Sequence, residues 1–224
     1  MFQNKLLIAK PFLKDPVFGN RVVLIVKHDD ALGTEGFILN GPVVGTVGFG
    51  EITGPEPENP DDPEEIKKII EAGAIQSAPL YMGGPCASPG LFMIHGYDQL
   101  ADFEEQKEDE FEIGNTLADL TTPDNKIMPG VYYGSPGTMV KIVMDGLVEQ
   151  KKFRFFNGMA GWSPGQLQRE IEAGAWDVID ALTHPDAANL VFDIDAANKL
   201  AQGDDDGSQT SGESFKLPPT PFWN

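Results

Sequence analysis

Arg21 to Lys27 reads RVVLIVK, an unbroken apolar run between two cations, and four of its five apolar residues are β-branched. A strand with one wet face alternates apolar and polar residues, so a continuous run marks a strand covered on both faces. The chain has the material for such a core, because 41% of its 224 residues are hydrophobic, and whole-chain disorder is excluded.

Other segments read as strands around this one. Leu6 to Ala9 is a short apolar run closed by Pro11. Gly36 to Leu39 ends at Asn40-Gly41-Pro42, a strong turn signal. Leu91–His95, Phe111–Ile113, Val131–Tyr133 and Lys152–Phe156 follow.

Three helices have readable starts. Asp62-Pro63-Glu64-Glu65 combines an N-cap, a proline at the first helical position and a capping box, with Gly73 as the stop. Ser135-Pro136-Gly137 opens the second, which runs through Met139, Ile142 and Leu147. Ser163 and Gln166 form the capping box of the third, with Trp162 and Leu167 at the spacing of a hydrophobic staple and Gly174 at the end. Strands and helices interleave irregularly, so the expected class is α+β with a mixed sheet. The expected organisation is one domain over residues 1–201. Residues 202–224 form an acidic tail rich in Gly, Ser and Pro, expected to be disordered.

Charge narrows the function. Sixteen Lys and Arg stand against 35 Asp and Glu, a net charge of −19, which argues against direct DNA binding. No transmembrane run or secretory leader pattern is visible, and a single cysteine excludes an internal disulfide framework, so the expected location is the cytoplasm. The windows 51–72 and 98–124 carry 18 of the acids and read as solvated surface.

Candidate chemistry is sparse. His28, His95 and His184 lie far apart with no metal-ligand spacing, and Asp204, Asp206, Gly207 and Glu213 make only a partial calcium loop, so no metal and no cofactor is implied. Cys86 has no neighbouring cation or base in sequence to activate it. Gly45, Gly48, Gly50 and Gly54 match no phosphate-binding fingerprint and read as a mobile loop. Lys151-Lys152-Phe153-Arg154-Phe155-Phe156 reads as an amphipathic strand, with Lys152 and Arg154 on its solvated face.

Four segments together resemble the AlgH/YqgE family of bacterial proteins. They are Leu6–Pro11 with Asp15-Pro16-Val17-Phe18 and the strand through to His28, Gly36–Pro42, Gly83-Gly84-Pro85, and Gly158–Leu167 with Glu170-Ile171 and Trp176. The likeness spans roughly residues 4–200. The chain departs from the family in the Pro- and acid-rich loop 51–62, in Met159 where a Tyr is frequent, and in Ala197-Asn198-Lys199 where a Trp is usual. The resemblance implies a compact α+β domain whose mixed sheet curls into a partial barrel with flanking helices. It carries a regulatory label linked to alginate control and no defined reaction.

The expected role is a non-catalytic binding or regulatory protein for an undefined protein or small-molecule partner. Segments rich in Gly, Pro, Asn and aromatics but poor in acid/base pairs build grooves more readily than proton-transfer sites. The candidate ligand-binding residues are Asp15, Phe18, Asn40, Gly83, Gly84, Trp162 and Gln166. Two alternatives stand beside it. One is a hydrolase acting on a small acidic or phosphorylated substrate at the helix starts of Ser135 or Ser163. The other is a transcriptional regulator acting indirectly or through Lys151, Lys152 and Arg154.

Overall fold

The computed structural model describes residues 2–48, 77–98, 126–134, 138, 142, 150–184 and 187–203. Ten strands run in chain order: β1 (Lys5–Ala9), β2 (Val22–Asp29), β3 (Gly33–Ile38), β4 (Val43–Gly48), β5 (Ser77–Met82), β6 (Cys86–His95), β7 (Lys126–Met128), β8 (Val131–Gly134), β9 (Phe153–Trp162) and β10 (Trp176–Asp180). They share one sheet in the order β10-β1-β2-β3-β9-β6-β8-β7, with β5 joined to β9 and β4 to β5. The sheet is mostly antiparallel and curls into a half-barrel, as expected. Its parallel pairing, Leu80–Met82 against Phe155–Asn157, makes it mixed.

The RVVLIVK run does what its composition demands. Val22 to Ile25 are fully buried, and the side chains part by period two. Val22, Leu24 and Val26 join Leu6, Phe37 and Leu39 in one core layer. Val23 and Ile25 join Leu7, Ala9 and Ile38 in a second. Two helices cover the first layer, α2 (Ala187–Phe192) and α3 (Ile194–Gln202). The second layer packs against Phe18, Trp162, Trp176 and Leu167, the last from helix α1 (Gln166–Glu172).

Some expectations change. The stretch read as a mobile loop at Gly45 and Gly48 is strand β4, held by backbone pairing to β5, a bond that asks nothing of the side chains. Gly50 and Gly54 lie outside the described residues. Strand β9 begins at Phe153, after a 3-10 turn over Gln150–Lys152, and is not amphipathic at its start: Phe153, Arg154, Phe155 and Phe156 are all buried. Arg154 is 4% exposed, because β9 is covered on both faces.

Helix α1 follows Trp162 as the sequence indicates, with half of the expected capping box. Gln166 Oε1 accepts from the Ser163 N–H at 3.1 Å, while Gly165, in the left-handed region at φ 70°, takes the N-cap position. Gly174, at φ 81°, follows the last turn. Of the expected second helix, Thr138 and Ile142 are helical and buried. The helix at 62–73, the strand at 111–113 and the tail from 204 lie outside the described residues, as do the acidic windows apart from Asp98. Helices α2 and α3 carry weak sequence signals. Asp193 caps α3 by accepting from the N–H groups of Asp195 and Ala196 at 2.9 and 3.1 Å.

Candidate functional site

The candidate residues fall at two places. Phe18, Trp162 and Gln166 converge beneath β1–β3. Phe18 packs on Trp162 at 6.0 Å and edge-on to Trp176 at 5.7 Å, and the two indoles meet at 6.1 Å. Glu170, 3% exposed, is the polar centre of this cluster. Its Oε2 accepts from both indole N–H groups at 2.9 Å each, and its Oε1 accepts from Gln166 Nε2 at 2.9 Å. Asp15 Oδ1 accepts from the N–H groups of Val17 and Phe18 at 2.8 Å and so shapes the turn that presents Phe18. Every polar group here has an internal partner, so the cluster works as a polar rivet through an apolar layer.

Asn40, Gly83 and Gly84 occupy the second place. Asn40, 4% exposed, accepts from the Val22 N–H at 2.9 Å and donates to the Asn20 carbonyl and to Asn198 Oδ1 at 3.0 and 3.1 Å. It therefore ties the turn after β3 to helix α3. Gly83 and Gly84 carry the chain from β5 to β6 through a narrow crossing. The Gly83 N–H donates to the Asn157 carbonyl, and the Gly83 carbonyl accepts from Ile38 N–H, at 2.9 and 2.8 Å. A Cβ at Gly83 would stand 2.2 Å from the Gly158 carbonyl oxygen, and one at Gly84 2.1 Å from the Met159 carbonyl carbon. Only glycine fits where these backbones cross.

The hydrolase alternative rests on the helix starts at Ser135 and Ser163, and the Ser163 N–H is taken by Gln166 Oε1; away from both, His28, Thr34 and Asp30 form a hydrogen-bonded row. His28 Nδ1 lies 2.8 Å from Thr34 Oγ1 and its Nε2 lies 3.1 Å from Asp30 Oδ1. Thr34 is 4% exposed on paired strands, so its hydroxyl is covered. Burial raises the Cys86 thiol, against a backbone hydrogen bond from Gly161, which keeps it protonated at neutral pH. Ser135 lies outside the described residues. His95 is 1% exposed, and burial lowers its pKa to about 4; its Nδ1 accepts from the Tyr97 N–H at 3.3 Å. Among the described residues no group of three or more His, Cys, Asp or Glu is placed to hold a metal ion.

The sequence reading missed a cleft of about 290 Å³ where β5 and β9 meet the α2–α3 corner. Ala78, Pro79, Tyr81, Phe153 and Phe192 give it apolar walls. Lys151, Arg154, Asp193 and Asp195 give it charge. Arg154 is the unusual member. Its guanidinium lies over the Tyr81 ring at 4.3 Å and over Phe156 at 5.2 Å. Nη1 donates to the Val191 carbonyl at 2.9 Å, and the buried Nη2 has no hydrogen-bond partner. Burial pulls its pKa down to about 10, so the charge persists at neutral pH. A buried charge with an idle donor is costly.

The fold and these sites define a half-barrel α+β protein with a cleft at the α2–α3 corner. The chain belongs to the AlgH-like family, whose model matches residues 6–202. It is similar to a UPF0301 protein of Bacteroides fragilis, with 31% identity over 78% of this chain and 69% of that one. A UPF0301 protein of Chlorobaculum tepidum is 29% identical over 80% and 74% of the two chains. The solution structure of the AlgH protein from Pseudomonas aeruginosa shares the fold, with a TM-score of 0.51 at 20% identity, covering 90% of this chain and 86% of that one. Among the described residues, no helix is long and apolar enough to cross a membrane.

Proposed function

We propose that this chain is a non-catalytic, cytoplasmic binding protein. Its small-molecule ligand sits in the cleft beside Arg154, and its occupancy is passed to a partner protein. The observation that carries this reading is the cleft itself, which sets Tyr81, Phe153 and Phe192 beside the charged Lys151, Asp193 and Asp195. Phe192, Asp193, Ile194 and Asp195 line the cleft, and Arg154 holds the Val191 carbonyl of α2, so a ligand there lies directly against the helix pair that covers one core layer. That gives a binding event a route to the surface without chemistry. Direct contact with nucleic acid through Lys151, Lys152 and Arg154 loses its central cation, because Arg154 is buried.

The test is a fragment screen on the full ¹⁵N-labelled chain, read by amide chemical shifts. The reading expects hits whose shifts cluster on Tyr81, Phe153, Phe192 and Asp195. A screen whose hits all map elsewhere, or that yields none, removes it.

A further inference from the structure

We infer that the outer edge of β4 is a self-association surface, on which a second copy of this chain lays its own β4 antiparallel. The inference is independent of the cleft reading.

The edge is shaped for a strand. Among the described residues β4 pairs with β5 alone, and no β4 residue belongs to either core layer. Val43 and Val44 are 57% and 49% exposed. Thr46 stands opposite Pro79, which has no N–H to give to a ladder. Opposed residues in an antiparallel ladder alternate between bonded and unbonded pairs, so this pair is unbonded, and the Thr46 N–H and carbonyl face away from β5. The Met82 N–H donates to the Pro42 carbonyl at 2.9 Å, the pattern that flanks an unbonded pair at Val43–Tyr81, two residues along β5 and in the same phase. Outward backbone groups on an edge strand are a template for another strand.

Charge selects the occupant. The chain carries −19, yet no Asp, Glu, Lys or Arg stands between Glu35 and Glu51 or between Glu71 and Asp98, stretches that hold both strands of this ribbon. Edge strands are ordinarily guarded by charge, and β10, at one end of the sheet, carries Asp177 and Asp180. Two copies of so acidic a chain repel one another, and the repulsion fades beyond a Debye length of roughly 8–10 Å. They can close to strand-pairing distance where neither presents a charge. A cationic partner, by contrast, finds no carboxylate on this ribbon to draw it. Antiparallel pairing of a strand with its own copy is also what a two-fold axis permits, so the contact closes as a dimer and leaves no free β4 edge.

The experiment is sedimentation equilibrium of the full chain up to about 0.5 mM, in low salt and in about 0.5 M salt, beside hydrogen exchange of the β4 amides. The expected result is a monomer–dimer equilibrium that tightens with salt, as the mutual repulsion is screened, and a Thr46 amide whose exchange slows as concentration rises. Thr46→Pro removes the outward N–H and spares the ladder to β5, so circular dichroism is expected to show the fold intact while the dimer weakens by at least about tenfold. Thr46→Glu, which sets like charges across the axis, is expected to weaken it as well. If either variant fails to fold, the wild-type Thr46 exchange decides by itself. A monomer at every concentration overturns the proposal, and protection of its Thr46 amide would then mean that the chain itself covers the edge. A dimer that loosens with salt, whose Thr46 exchange ignores concentration, or that persists undiminished in a folded Thr46→Pro or Thr46→Glu protein, uses another surface and overturns it too.

Discussion

Glu170 shows at the scale of one residue how a polar group becomes part of a core. Two indole N–H groups and one amide converge on its carboxyl inside an aromatic layer. Glu170→Gln replaces one acceptor oxygen with an NH₂ group that faces donors, and it is expected to cost about 2–4 kcal/mol. Urea unfolding measures it; a loss below about 0.5 kcal/mol would mean that the rivet is decorative. His95 gives a second expectation. Its folded pKa of about 4 lies below the ordinary value of 6.5. The unfolded chain therefore takes up a proton that the fold refuses, so this contribution is complete above pH 6.5 and is lost as pH falls toward 4. The full span is about 3 kcal/mol. A titration of the His95 ring protons should show the neutral imidazole persisting below pH 5; a midpoint near 6.5 contradicts it. Of this cluster, Trp162 and Gln166 are legible in sequence through the staple and capping spacing. Glu170 hides as an ordinary helix acid, because its donors at Trp162 and Trp176 reach it only once β9, α1 and β10 pack.

At the scale of elements, the strand β9 decides the architecture. One edge pairs with β6, while the other serves β5 and then β3. The change of partner falls at Gly158, whose φ of 70° lets the chain bend where Gly83 and Gly84 pass. Gly84→Ala is expected to destabilise by more than about 3 kcal/mol, since its Cβ would collide with backbone that cannot yield; a thermal midpoint within a few degrees of wild type would refute the crossing. Asn40→Ala removes the tie between the β3 turn and α3 and should cost about 1–3 kcal/mol, with Asn198→Ala costing less because Asn198 is only half-buried. Double-mutant analysis of the pair checks the contact itself. The turn at Asn40-Gly41 is readable from sequence. The tie to Asn198, 158 residues away, is not.

Across the whole molecule, the two core layers share β1, β2 and β3, so neither layer can melt while leaving the other's strands intact. Urea unfolding followed by indole fluorescence in a Trp223→Phe background should coincide with unfolding followed by far-UV circular dichroism. Separated transitions would show that the layers are independent. What the sequence determined by itself is local. The unbroken run 21–27 demands cover on both faces, the Gly, Pro and Asn positions place turns, and the mixture of short strands and capped helices sets the α+β class. Those signals live in adjacent residues, where backbone sterics and side-chain periodicity act. Which faces become dry was decided by tertiary structure. Arg154 alternates with phenylalanines and reads as a solvated cation, yet it is buried. The helix that receives its hydrogen bond begins more than thirty residues later and meets β9 only in the folded chain. Burial is a property of what covers a residue, and in this protein the cover arrives from far along the chain.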